Sequence, residues 1–139
     1  AFRLTLPHDA TVAPSLDVPG GAHDVRRDAI PADQAMYDIG AESRASYARA
    51  IATAQTIVWN GPMGVFEMPA FERGTKTVAQ SVADATVAGA FSLIGGGDSA
   101  AAVYQFGFDD KVSYVSTGGG ALLEYFEGKV LPGIAAIEN

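Results

Sequence analysis

The sequence predicts an α/β fold: a Rossmann-like, three-layer arrangement in which a parallel sheet carries helices on both faces. Three observations predict it. From Glu42 onward, segments of helical and strand character alternate as helix, strand, helix, strand, helix, strand, helix, the pattern of a parallel sheet with helices packed on it. The strand segments are short continuous apolar runs, as expected when both faces of a sheet are buried. Three strands also end in glycine-bearing turns, TIVWNGPMG, FSLIGGGDS and VSYVSTGGG. This is an internal repeat in which Gly95 and Gly118 stand 23 residues apart, the length of one helix-plus-strand unit.

The elements follow in order. Leu4–Ala13 (LTLPHDATVA) alternates loosely and reads as a strand broken at Pro7. Pro14–Gly40 is dense in Pro, Gly and Asp and reads as a long loop with room for short edge strands. Loops of that length within compact domains are functional or mobile. Arg26-Arg27 could hold an anion, but a solvated basic pair between Asp24 and Asp28 is the plainer reading. Glu42–Ala54 places Ala45, Ala48, Ile51 and Ala52 at helical spacing. Thr56–Gly61 is an apolar strand, and Pro62–Phe71, with two prolines, is a loop. Glu72–Thr86 is a helix with Val78, Ala79, Val82 and Ala83 on one face. Phe91–Ile94 is a strand, Ser99–Phe106 a helix, Lys111–Thr117 a strand, Gly118–Gly120 a turn and Ala121–Gly128 a helix. Pro132-Gly133 signals a turn, and a short apolar tail follows. Residues 1–40 thus divide from residues 41–139 as strand and long loop against alternating helix and strand units.

The bulk numbers narrow the function. With 139 residues, 48% apolar and 18% charged, the chain can bury a real core. A net charge of −7 without a lysine-arginine stripe argues against nucleic acid. A phosphorylated small molecule stays possible if local donors or a metal assist. There is no cysteine, which excludes disulfides and thiol chemistry and fits a cytosolic protein. No apolar run approaches the ~20 residues of a membrane helix. Ala1-Phe2-Arg3 is neither a signal peptide nor an ordinary start, so the chain reads as part of something longer.

In a parallel sheet all three glycine turns fall on one carboxyl edge, where ligands bind in open α/β sheets. Bare backbone N–H groups there can meet a polyanion, helped by the positive end of a helix dipole. Asp98 sits in the second turn, where a carboxylate should repel phosphate. It could simply cap the helix, worth ~0.3–1 kcal/mol through the dipole. It could instead hold a magnesium ion shared with substrate phosphates, which turns repulsion into a bridge. Ser99 adds a hydroxyl donor beside it. Gly95-Gly96-Gly97 and Gly118-Gly119-Gly120 exceed what turning the chain requires, and Ser116 and Thr117 add hydroxyls. Gly95-x-Gly97-x-x-Ala100 also fits a dinucleotide fingerprint, but the next strand ends Val115-Ser116-Thr117 without the acid that pattern needs. In the first turn Asn60 could bond a phosphate or sugar and Glu67 could accept from ribose, while Trp59 and Phe66 read as core or loop anchors. Cations are scarce at this rim. Lys76 lies in a helix, Lys111 enters a strand from the far edge and Lys129 follows the last helix. His8 and His23 match no catalytic spacing and read as loop or solvated residues. The residues make half of a nucleotide site.

These residues resemble the phosphoglycerate kinase family. TIVWNGPMGVFE, FERGTK, IGGGDSAAAV, KVSYVSTGGGALLEYFEGK and LPGIAAI follow its C-terminal domain in order and spacing, and LPHDATVA and DIG (Asp38–Gly40) extend the likeness upstream. The resemblance implies a partial C-terminal nucleotide-binding domain of a two-domain, usually monomeric cytoplasmic kinase. That enzyme passes phosphate between ATP and 3-phosphoglycerate in glycolysis with magnesium and closes about a hinge. It implies that Asn60, Gly61 and Pro62 lie along the nucleotide and that Glu67 holds the ribose. Gly96, Gly97, Asp98 and Ser99 would bind phosphates and magnesium, with Asp98 as the metal ligand. Gly118, Gly119 and Gly120 would face the transferred phosphoryl group, with Gly96 and Gly119 as the catalytic positions. Met36-Tyr37 stands where the family usually has Gly-Leu beside the adenine, and Ser99 where Thr is common. The family's N-terminal domain, with its basic phosphoglycerate site and catalytic arginine, and the first strands of the nucleotide domain with their lysines have no counterpart in this sequence. An open sheet edge would favour dimerisation. The alternatives are a nucleotide-binding module without catalysis, an NAD-binding oxidoreductase fragment, and a fragment that binds nothing until joined to its missing strands.

Overall fold

The structure, a computed structural model, describes residues 3–138. Ala1, Phe2 and Asn139, which the readings of the two ends include, lie outside the described residues. Two three-stranded sheets are present among them. The first is antiparallel, in the order β2-β1-β3, with β1 at Asp9–Ala13, β2 at His23–Arg26 and β3 at Ala35–Ile39. The second is parallel, in the order β4-β5-β6, with β4 at Thr56–Asn60, β5 at Phe91–Gly95 and β6 at Tyr114–Val115. The helices are α1 (Ala41–Ala52), α2 (Arg73–Val87), α3 (Gly97–Gln105), α4 (Gly120–Phe126) and α5 (Pro132–Glu138).

The parallel sheet steps one way, from β4 through β5 to β6. Right-handed crossovers then place α2 and α3 on the same face. That face is the core: Ile57, Trp59 and Ile94 of the sheet pack with Val78, Ala79, Val82 and Ala83 of α2 and with Ala102 and Val103 of α3. The larger of these side chains each contribute about 1.5–3 kcal/mol on full burial. The four apolar positions expected on one face of α2 are all buried. So are Trp59 and Phe66, and they belong to the same core.

The burial of the strands differs from the expectation of two covered faces. Ile57, Trp59, Ser92 and Ile94 are buried, whereas Val58, Phe91 and Tyr114 on the opposite face are 47%, 52% and 61% exposed. β4-α2-β5 and β5-α3-β6 both wind onto one side, and α4 reaches the other. It does so at the carboxyl end, where Leu122 lies against Gly95.

Several boundaries also differ. The first strand is Asp9–Ala13 only, because Pro7 has no N–H to give a ladder. The Pro14–Gly40 stretch holds β2 and β3, which flank β1 and close the small sheet. The strand expected at Lys111–Thr117 shrinks to Tyr114–Val115. Asp109–Lys111 turns as a 3-10 helix instead. At Ser113 the ladder gives way to a reciprocal pair, with Ser92 N donating to Ser113 Oγ (3.1 Å) and Ser113 N to Ser92 Oγ (2.9 Å). The tail is helical from Pro132, since Pro is favourable in a first helical turn and Ala135 and Ala136 propagate a helix.

Candidate functional site

The carboxyl ends of β4, β5 and β6 bring the three glycine turns side by side. Asn60 pairs with Gly95 across β4 and β5, and Ser116 N donates to Ile94 O (2.7 Å). Gly61, at the first turn, donates its N–H to Ser99 Oγ (2.6 Å) and accepts from Trp59 Nε1 at its carbonyl (2.7 Å). The first and second turns are therefore locked together by side chains from inside.

Glycine is required at three of these positions, of which Gly61 (φ +95°) turns the chain after β4. Gly96 (φ +90°) forms the N-cap of α3, and Gly119 (φ +52°) that of α4. Side-chain-bearing residues rarely adopt any of these conformations. Gly97, Gly119 and Gly120 also have open space where a side chain would stand, so a ligand can approach their backbone directly. Gly96→Ala is expected to cost about 1–3 kcal/mol, read as a lower urea midpoint with the same slope.

Asp98 is not the cap that the plainer reading expected. Gly96 takes the cap position, and no side chain caps α3. Asp98 lies inside the first turn and is exposed, its carboxylate free of hydrogen-bond partners among the described residues. Ser99 also differs from the expectation of a free donor. It is fully buried, and its hydroxyl receives Gly61 N, so it aligns the turns rather than facing outward. What remains at the helix start are the N–H groups of Gly97, Asp98 and Ser99, ahead of the first intrahelical bond, from Ala100 N to Gly96 O (3.1 Å).

Pro62 and Glu67 sit on the loop after β4. Thr75 Oγ1, fully buried, accepts from Met63 N (3.0 Å) and Gly64 N (3.3 Å). Val65 N donates to Tyr37 O (2.9 Å) and Gln105 Nε2 to Phe66 O (3.3 Å). Glu67 stands exposed on this pinned loop. Met36 is 43% exposed, and Tyr37 packs on Phe71 with ring centroids 5.1 Å apart. The lysines stay away from the rim. Lys76 lies 3.7 Å from Glu72 and over Phe106, Lys111 over Phe108, and Lys129 pairs with Glu127. His8 and His23 are exposed, and Arg26 pairs with Asp28 on the surface.

Sequence reasoning missed the carboxylates that hold this scaffold. Asp9 accepts from Glu42 N (2.9 Å), Ser43 N (2.8 Å) and Ser43 Oγ (2.5 Å), and Asp24 accepts from Ala41 N (2.8 Å). Two carboxylates from the small sheet thus cap α1 from outside its own sequence. Burial pushes the Asp9 carboxyl upward, but the Ser43 hydroxyl and the two N–H donors outweigh it and hold the group below its ordinary value. Asp38, 1% exposed, accepts from Gly74 N (2.7 Å) and Ile39 N (2.8 Å) and joins β3 to the start of α2. There burial wins, and the carboxyl is raised to about 6. No local pattern marks these residues; Asp9 and Asp38 stood out only within LPHDATVA and the Asp38–Gly40 triplet, two stretches that carry the family resemblance.

The family model for phosphoglycerate kinase matches residues 1–129. The chain belongs to the phosphoglycerate kinase family. The phosphoglycerate kinase of Chlorobium limicola is 50% identical over 138 residues, which are 99% of this chain and 35% of that protein. That of Bifidobacterium longum is 53% identical over 98% of this chain and 35% of its own length. Among solved structures, phosphoglycerate kinase from Coxiella burnetii superposes with a TM-score of 0.86 at 47% identity, over 94% of this chain and 33% of that one. The enzyme from Pyrococcus horikoshii gives 0.80 at 34% identity, over 95% and 32%. The chain spans about a third of the length of these phosphoglycerate kinases, and its glycine rim lies within the matched residues.

Proposed function

We propose that this chain forms the magnesium–nucleotide half of a phosphoglycerate kinase, a cytoplasmic glycolytic phosphotransferase acting between ATP and 3-phosphoglycerate. One observation carries the reading: an exposed, unpartnered Asp98 stands in the first turn of α3, beside glycine backbones with open space around them. No three His, Cys, Asp or Glu side chains converge for a metal among the described residues. A magnesium ion would therefore be held by the single carboxylate of Asp98 together with nucleotide phosphates, as is usual for that ion. It would supply charge neutralisation on the phosphate oxygens.

The chain's own groups do the rest. Backbone N–H groups of Gly96, Gly97, Asp98 and Ser99 bind phosphate oxygens at the positive end of α3. Asn60, Gly61 and Pro62 lie along the nucleotide, and Glu67 accepts from ribose hydroxyls. Gly118, Gly119 and Gly120 present backbone to the transferred group. Gly96 and Gly119 are the catalytic positions, because donors fixed before reaction stabilise developing charge without reorganisation. In the parent reaction a carboxylate oxygen of 3-phosphoglycerate forms the new bond to phosphorus as the bond to ADP breaks.

Phosphoryl transfer also needs cations on the moving group, and no lysine here reaches the rim. The chain alone is expected to bind nucleotide without turning it over. Calorimetric titration of ADP tests the reading. Binding should require magnesium and vanish with chelator, and Asp98→Ala should weaken it by about tenfold, some 1.4 kcal/mol. Magnesium-independent affinity, or Asp98→Ala binding as tightly as the parent, would overturn the assignment.

A further inference from the structure

A groove between α1 and α2, away from the glycine rim, has no part in the proposed nucleotide site. Its cavity of about 370 Å³ is lined by Arg44, Arg73, Lys76, Thr77, Gln80 and Ser81. The α2 members recur at helical spacing, so one face of α2 is turned to this groove. Three of the nine lysines and arginines of a chain with net charge −7 meet there.

Their states differ in a way that suits an anion. Arg44 is set in place: NH1 donates to Ile39 O (2.8 Å), NH2 lies 3.7 Å from Asp24, and its side chain is only 16% exposed. Its remaining N–H donors are uncommitted. Arg73 is exposed and has no ion-pair or hydrogen-bond partner for its guanidinium among the described residues. Lys76 has a loose surface pair with Glu72 and stands over the Phe106 ring, 5.6 Å from its centroid; at exposed sites each such contact contributes only ~0–1 kcal/mol, so its ammonium can turn to a stronger partner. A second cavity of about 370 Å³ shares Arg44 and Arg73 but contains Asp24. That carboxylate repels an anion from the second compartment and leaves the α1–α2 groove as the seat.

We propose that this groove binds a small polyphosphate anion, with Arg44 as the fixed donor and Arg73 and Lys76 closing on it. Arginine suits this role because its fork matches phosphate oxygens in pairs. The test is a titration of the nitrogen-15-labelled chain with inorganic pyrophosphate in chelator, followed amide by amide. Saturable shifts are expected at Arg44 and across residues 73–81. The double variant Arg73→Glu, Lys76→Glu alters two exposed side chains. It should keep the fold by circular dichroism and weaken binding at least about tenfold. Non-saturable shifts, shifts confined to residues 95–99 and 118–120, or undiminished affinity in the double variant would overturn the proposal. Because the readout is by position and without magnesium, failure here is separate from failure of the nucleotide reading.

Discussion

Gly74→Ala is expected to lower the stability of this chain by about 3 kcal/mol, the reverse of what the exchange does in an ordinary helix. In an exposed helix interior alanine gains up to ~1 kcal/mol over glycine. Gly74, the second residue of α2, is buried, and its N–H donates to Asp38 Oδ2 (2.7 Å). An added Cβ would overlap the Asp38 carboxylate and stand 2.7 Å from Ile39 Cγ1. The backbone of β3 cannot retreat, because β3 is paired along β1, and both Asp38 and Ile39 are buried. Overpacking costs ~1–3 kcal/mol, and losing a hydrogen bond to a charged group ~1.5–3 kcal/mol. Allowing for partial relaxation gives about 3 kcal/mol, or a melting midpoint lower by about 10 °C. Gly20→Ala is the control. Its Cβ would meet nothing within 4 Å, and its melting curve should match the parent. A Gly74→Ala midpoint within about 2 °C of the parent would mean that α2 does not start against Asp38.

The part of the fold that this contact organises was the part least legible in the sequence. The α2 stripe is a local signal, carried by side chains three and four residues apart, and was readable because the helix states its own inner face. The strands, read as apolar runs buried on both faces, instead bury alternate residues, Ile57 and Trp59 in β4. The pairing of β1 with β2 and β3 is not local. Ala10 meets Val25 on one side and Ile39 on the other, and nothing within the Pro-, Gly- and Asp-rich stretch says that it returns twice to the same strand. The helix expected at Glu42–Ala54 is present as α1, but its inner face was less legible. Of Ala45, Ala48, Ile51 and Ala52, only Ala48 and Ile51 are half-buried, because alanine marks a face weakly. Asp9, Asp24 and Ser43 fix the helix instead, through its terminal N–H groups.

The candidate site divides along the same line. Its glycines were legible because each turn follows its strand directly and the parallel order aligns the turns. The roles of individual side chains were less so. Whether Asp98 caps its helix or faces outward depends on the conformation of Gly96, and whether Ser99 meets ligand or protein depends on Gly61, 38 residues earlier. A residue type at a helix start defines what it can do, and a neighbour distant in sequence decides which of those things it does.

Asp38 makes the same point through pH, and its effect should be measurable as a slope. Burial raises its carboxyl from the ordinary 3.8 to about 6, against the hydrogen bonds from Gly74 and Ile39 and the attraction of Arg44, with Asp24 adding to the rise. The folded chain thus keeps a proton here that the unfolded chain has already released. Stability from this group is full below pH 3.8, falls as pH rises from about 4 to about 6, and is level above. The total is bounded at about 3 kcal/mol, since a tenfold difference in proton affinity between the folded and unfolded chain is worth ~1.36 kcal/mol. Asp9 works in the other direction and in a different window. Its lowered value adds stability above pH 3.8 that is lost only in stronger acid. Urea unfolding between pH 4 and pH 7 isolates Asp38. The parent should lose stability across that range, whereas Asp38→Asn, offset by its lost acceptor, should lack that component of the slope. Parallel profiles for the two would place the titration elsewhere. An ionised Asp38 at neutral pH would then be held at no cost by the α2 terminus, and the contact that positions the loop bearing Pro62 and Glu67 would be insensitive to pH.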